Sequence, residues 1–280
     1  MQHLRNLYAI PLSLTLSLFA GSAMAFNWSG VEKADIKTAQ AARDAKSPAG
    51  IEFLLTGFTN ASEGVAIRCM DYVKRMVIED GVPYDREKLC TFAGGQLPGG
   101  TTKLTDKLCY LITDLGPGEN GRKKLEHLLL GDNVENARIA IRCLIGIRAS
   151  KDIMANVRDA LSSSESAKPA GDRDSLVAIR KAAAEKHASD EGFQLYAIRA
   201  IGILGNDSDV SMLKDVLDPT KTQALEGKYQ IDRVVYALRA CPRFTGGRDL
   251  ITPYLTHPEK KIKKEAEKAL EDWSKKNPGK

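Results

Sequence analysis

From residue 50 to the C-terminus, apolar side chains recur at three- and four-residue spacing between breaks at Gly, Pro, Asn and Asp. That period lays one face of a helix against a core. It predicts helices near 50–58, 62–79, 84–93, 102–114, 119–130, 133–147, 151–161, 173–187, 191–204, 207–217, 229–240, 246–255 and 259–274. Residues 26–49 read as a polar lead-in helix. Helices of this length with short connections predict an all-α fold of stacked helical hairpins.

A register repeats inside this pattern. AIRCM at 66–70 returns as AIRCL at 140–144, and further copies align on a small residue: Cys69, Cys109, Cys143, Ala200, Ala240 and Ala269. The intervals are 40, 34, 57, 40 and 29 residues. A small apolar residue recurring inside helices lets neighbouring helices approach closely, as an array of repeats requires. AIRKA at 178–182 falls only 19 residues before the copy at 197, so 173–187 reads as an extra helix inserted after the Ser-rich stretch SSSESAKPAG. That stretch is the expected flexible break. The expected organisation is an irregular helical region over 26–100, repeats over 101–161, a Ser-rich insertion over 162–172, and repeats with a capping helix over 173–280.

AIRAIGILGNDSDVSMLKDVLD (197–218) resembles the HEAT repeat family, especially the short HEAT-like variety of phycobilisome-lyase-type proteins. Ala197, Ala200, Ile201, Gly202, Leu204 and Gly205 carry the likeness, followed by Asp209, Val210, Leu213 and Leu217. Residues 132–161 look like another copy, with Arg148 where a turn glycine is expected. The resemblance implies a HEAT-like α-solenoid, built of first helix, glycine-containing turn and second helix. It implies a binding surface rather than any particular chemistry.

The first 25 residues stand apart. A short basic start, the apolar run LYAIPLSLTLSLFAG and Ala23-Met24-Ala25 have the layout of a secretory signal peptide, with Phe26 as the first mature residue. A periplasmic or secreted protein is therefore expected, with no stable membrane insertion after cleavage. Loss of Arg5 leaves 40 basic against 36 acidic residues, a net charge of +4. So mild a balance does not imply nucleic acid.

Candidate chemistry is sparse. Five cysteines occur without a CxxC, and four histidines are scattered, so no metal site or cofactor is expected. Cys69 and Cys90 flank a turn near Gly81 at comparable distances, which makes them the disulfide candidate in an oxidising compartment. The competing reading keeps Cys69, Cys109 and Cys143 as small core residues. No catalytic motif of serine, cysteine, metal or phosphate-binding type is present, so no enzyme is expected.

Tyr196 and Arg199, like Tyr236 and Arg239, are three apart and share a helix face, and Arg142 and Arg68 occupy the same register. Tyr and Arg are enriched at binding hot spots, so Tyr196, Arg199, Tyr236, Arg239 and Arg142 are the candidate partner-binding residues. They would suit an acidic protein partner. The alternative is an internal ladder in which each arginine pairs with the adjacent repeat. At the C-terminus, Ile262, Ala266, Ala269, Leu270 and Trp273 form one apolar stripe under a Lys-rich face, as a capping helix needs. Two further functions stay open: binding an anionic cell-wall polymer or lipid headgroup through basic surface, and a lyase-like activity implied by the lyase-type relatives.

Overall fold

The computed structural model describes residues 26–60, 62–97, 101–147, 169–222, 225 and 227–279. The expected leader over 1–25, the helix over 151–161 and most of the Ser-rich stretch lie outside the described residues.

Every regular element among the described residues is helical. The chain runs through α1 (Glu32–Asp44), α2 (Pro48–Asn60), α3 (Glu63–Lys74), α4 (Arg86–Gln96), α5 (Thr102–Leu115), α6 (Glu119–Leu129) and α7 (Val134–Leu144). After the gap come α8 (Arg173–Glu185), α9 (Glu191–Leu204), α10 (Val210–Val216), α11 (Pro219–Thr222), α12 (Lys228–Ala240), α13 (Gly247–Ile251) and α14 (Lys260–Lys276). A π turn, Arg75–Glu79, extends α3. Side-chain caps start many of them: Ser62, Asp85, Thr101, Asn133, Asp172 and Asp190 accept from backbone N–H groups of the first turn. Such caps satisfy donors that a helix leaves open at its start. No helix among the described residues is long and apolar enough to cross a membrane.

The packing has two rows. α3, α5, α7, α9, α12 and α14 each pack on the next, and every one is backed by an earlier helix: α2, α4, α6, α8, α10 and α13 in turn. α1 closes the start against α2 and α3. The recurring small residues all fall in the first row. Cys69, Cys109, Cys143, Ala200, Ala240 and Ala269 are at most 2% exposed. Between α9 and α12 the approach is so close that a Cβ on Gly202 would stand 2.7 Å from the Cβ of Ala240.

Burial follows position. α14, at the end, buries only Ile262, Ala266, Ala269 and Trp273, one stripe. α9 buries every residue from Tyr196 to Gly202 because α7, α8 and α12 surround it.

Three expectations change. Helix 173–185 is no insertion: it backs α9 and continues its own row from α6. The surplus in the 57-residue interval therefore lies in 148–168, outside the described residues. At the end of the Ser-rich stretch, the Gly171 N–H donates to the Leu144 carbonyl at 2.8 Å, which pins that end to α7. Residues 26–97 are not irregular, since α2 to α4 follow the same packing rule as the rest. The tight hairpins also run backing helix to row helix, α8 to α9, rather than α9 to α10 across the Gly205 turn.

Candidate functional site

The tyrosine–arginine positions come together as expected, but inside the protein. Tyr196, Arg199 and Tyr236 are 6%, 5% and 3% exposed. The Arg199 guanidinium lies 3.9 Å from the Tyr236 ring centroid and 5.2 Å from that of Tyr196. Arg239 approaches the same Tyr236 ring at 5.4 Å. An exposed stripe open to a partner is therefore replaced by an internal ladder between α9 and α12. The physical reason is that α9 is packed on by α7, α8 and α12, so its circumference from Tyr196 to Gly202 is turned inward whatever the face.

Most of the ladder is charge-balanced. Arg239 donates through Nε and Nη2 to Glu265 of α14 at 2.8 and 2.9 Å. Burial alone would lower its pKa, but Glu265 more than offsets this and the net shift is upward. Arg142 on α7 donates to Asp106 of α5 at 3.2 Å. Arg138 donates to both oxygens of Asp190 and to Glu135. Arg68 is exposed.

Arg199 differs. Among the described residues no carboxylate lies within ion-pair range of it, and its Nε and Nη1 have no hydrogen-bond partner, while the guanidinium hydrogen-bonds Tyr236. Burial holds its pKa below the usual arginine value, with the two tyrosines partly opposing. Two cation–π contacts are worth about 0.5–2 kcal/mol each. Desolvating an ion costs several kcal/mol. A hydrogen bond to Tyr236 adds to these contacts, yet the net direction of the Arg199 pKa stays downward, so burial outweighs what the tyrosines return.

A second feature lies between α3 and α5, a cleft of about 250 Å³. Met70 and Leu111 form an apolar floor, both 1% exposed. The rim carries charges of both signs: Lys107 pairs with Asp71 at 2.9 Å and Lys74 with Asp114 at 2.5 Å, while Tyr110 and Asp106 complete the lining. Burial raises the Asp106 pKa, with Arg142 and Lys107 opposing. Nothing in the apolar pattern marked this cleft. A readable signal did exist, since Asp71–Lys107 and Asp106–Arg142 are each 36 residues apart, close to the repeat interval.

The thiols are built for packing. All five cysteines are free and buried. Cys69 and Cys90 form no bridge because they face different neighbours. The Cys69 Sγ looks onto Gly57 of α2, and the Cys90 Cβ onto Gly121 of α6. Burial pushes the Cys69 and Cys241 thiols up to about 12 and that of Cys90 to about 11, which disfavours the nucleophilic thiolate. The sulfurs that do meet are those of Cys109 and Cys143, equivalent positions on α5 and α7 joined by a thiol hydrogen bond.

Two histidines are structural. The His187 Nε2 bonds the Leu129 carbonyl at 2.9 Å. His257 bonds the Thr222 carbonyl through Nε2 at 2.7 Å and accepts the Glu259 N–H at Nδ1. Among the described residues, no group of three or more His, Cys, Asp or Glu side chains is placed to hold a metal ion. Comparison of the chain with protein-family models, curated proteins and solved structures gives no match.

Proposed function

We propose that the chain is a non-enzymatic HEAT-like α-solenoid, secreted or periplasmic, that binds a protein partner along the row from α3 to α14. The α3–α5 cleft carries this reading. Small-molecule pockets run to about 300–1,000 Å³. At about 250 Å³, with an apolar floor and a rim of mixed charge, the cleft suits one large side chain of a partner. The row is stiffened by ion pairs from helix to helix, so the surface is preformed and loses little freedom on binding.

The test is crosslinking of protein starting at Phe26 in its extracytoplasmic extract, beside a Lys107→Glu, Tyr110→Ala variant. The Lys107–Asp71 pair is exposed on both sides (42% and 40%), so its loss leaves the fold intact. One dominant protein captured by the parent and lost by the variant, at equal helicity, is the expected result. No protein partner, or one retained by the variant, refutes the proposal.

A further inference from the structure

We infer that Arg199 is a receptor for a carboxylate supplied from outside this chain. Arginines at equivalent positions of the same row show what a completed site looks like: Arg142 has Asp106 and Arg239 has Glu265. Arg138, one turn before Arg142 on α7, has Asp190 and Glu135. At Arg199 the guanidinium, the desolvation and the aromatic contacts are present, and among the described residues no carboxylate meets them. Arg239 makes the need greater, because its charge also faces the Tyr236 ring and repels that of Arg199. The partnerless Nε and Nη1 lie on different edges of the guanidinium, so each can donate singly to a carboxylate oxygen, unlike the Nε–Nη2 fork by which Arg239 holds Glu265.

The Tyr196 and Tyr236 rings lie against the guanidinium, which leaves a carboxylate as the anion class its donors recognise. Two sources share that chemistry, a free dicarboxylate such as succinate and an acidic side chain of a protein. The site does not depend on the α3–α5 cleft, so either reading can fail alone.

Two probes separate the sources: succinate, and the peptide acetyl-Ala-Glu-Ala-amide beside its Gln counterpart. Both are titrated at constant ionic strength against chloride. The direct readout is the Nε–H resonance of Arg199 in the unaltered protein, assigned by its loss in Arg199→Lys. The expected result is a saturable downfield shift with at least one carboxylate probe and none with the Gln peptide. Thermal unfolding gives the second readout. At tenfold excess over Kd, the melting temperature should rise by about 3–6 °C in the parent. Binding should weaken at least tenfold in Arg199→Met, while the exposed control Arg180→Met responds like the parent. In chloride, Arg199→Met should melt at or above the parent, because an uncompensated buried charge has gone. A response to succinate alone assigns a small-molecule site, and a response to the Glu peptide assigns an acidic partner. No movement of the Arg199 resonance with either probe overturns the inference, as does a response that Arg199→Met retains.

Discussion

Gly202→Ala sets two effects of opposite sign against each other at the close approach of α9 and α12. Gly202 lies inside α9. Alanine is favoured there over glycine by about 0.8–1.0 kcal/mol. The new Cβ would stand 2.7 Å from the Cβ of Ala240 and 3.0 Å from its Cα. Carbon atoms pack at about 3.5–4.0 Å, so α9 and α12 would have to part by roughly 1 Å. Nothing at the contact can rotate away, because Ala240 has no rotamers and its Cα is helix backbone. Overpacking of this kind costs about 1–3 kcal/mol. The clash therefore outweighs the propensity gain, and the net loss is about 1 kcal/mol. In a protein of this size that lowers the melting temperature by about 2–4 °C, read by far-UV circular dichroism. Gly95→Ala is the control. Gly95 is exposed on α4 with nothing within 4 Å of an added Cβ, so the same substitution should raise the melting temperature. If Gly202→Ala raises it too, the α9–α12 approach is looser than described. The small-residue register then loses its packing rationale.

Further outcomes follow from the buried charges and thiols. Glu265→Ala strands Arg239 and should cost about 3 kcal/mol in denaturant unfolding, whereas Glu265→Leu with Arg239→Met should recover most of that. An aromatic disulfide reagent at pH ~8 should label none of the five cysteines until denaturant is added, given thiols pushed up to about 11 and about 12; rapid native labelling refutes the burial. Refolding in a glutathione redox buffer, followed by peptide mapping, should link Cys109 to Cys143 and leave Cys69 and Cys90 unlinked. Burial alone would raise the Asp190 pKa, but Arg138 and the Phe193 N–H more than reverse this and hold it below the usual carboxylate value. Its stabilisation is therefore complete above the unfolded value of about 3.9 and lost as pH falls through the lower folded value. Asp190→Asn should cost about 1 kcal/mol at neutral pH and match the parent near pH ~2; a constant gap across that range refutes the assignment.

The repeated small residue marks the row in the sequence itself, because close helix approach is a constraint that small residues such as Ala, Cys and Gly satisfy. The α14 stripe was readable for the same kind of reason: a terminal helix buries one face, and Ile262, Ala266, Ala269 and Trp273 mark it. Where the sequence misled, the cause was also physical. α2, PAGIEFLLTGFTN, shows its helical period through the exposed Glu52 and Thr56 but carries no copy of the small-residue motif, so residues 26–97 looked irregular. α8 carries AIRKA, a copy of the row motif, yet serves as a backing helix. Both rows face the same core, so a short apolar motif fits either. Spacing alone then made a regular element look like an insertion.

The arginine register shows why the site was harder to read than the fold. Register sets the direction in which a side chain leaves its helix, and that much is common to Arg68, Arg142, Arg199 and Arg239. What each arginine meets depends on a different helix each time. Arg142 reaches back 36 residues to Asp106, and Arg239 reaches forward 26 to Glu265. Arg68 meets solvent and Arg199 meets two tyrosines. One repeated letter therefore stands for several electrostatic states. Those states differ in what they can offer a ligand. An incoming carboxylate at Arg142 or Arg239 must displace one already bound and leave Asp106 or Glu265 stranded, so the exchange gains little. At Arg199 it displaces no carboxylate and relieves a charge that the fold has already desolvated. Binding free energy at a buried arginine is set by the counter-charge that is missing, and among the described arginines of this register Arg199 combines burial with that deficit.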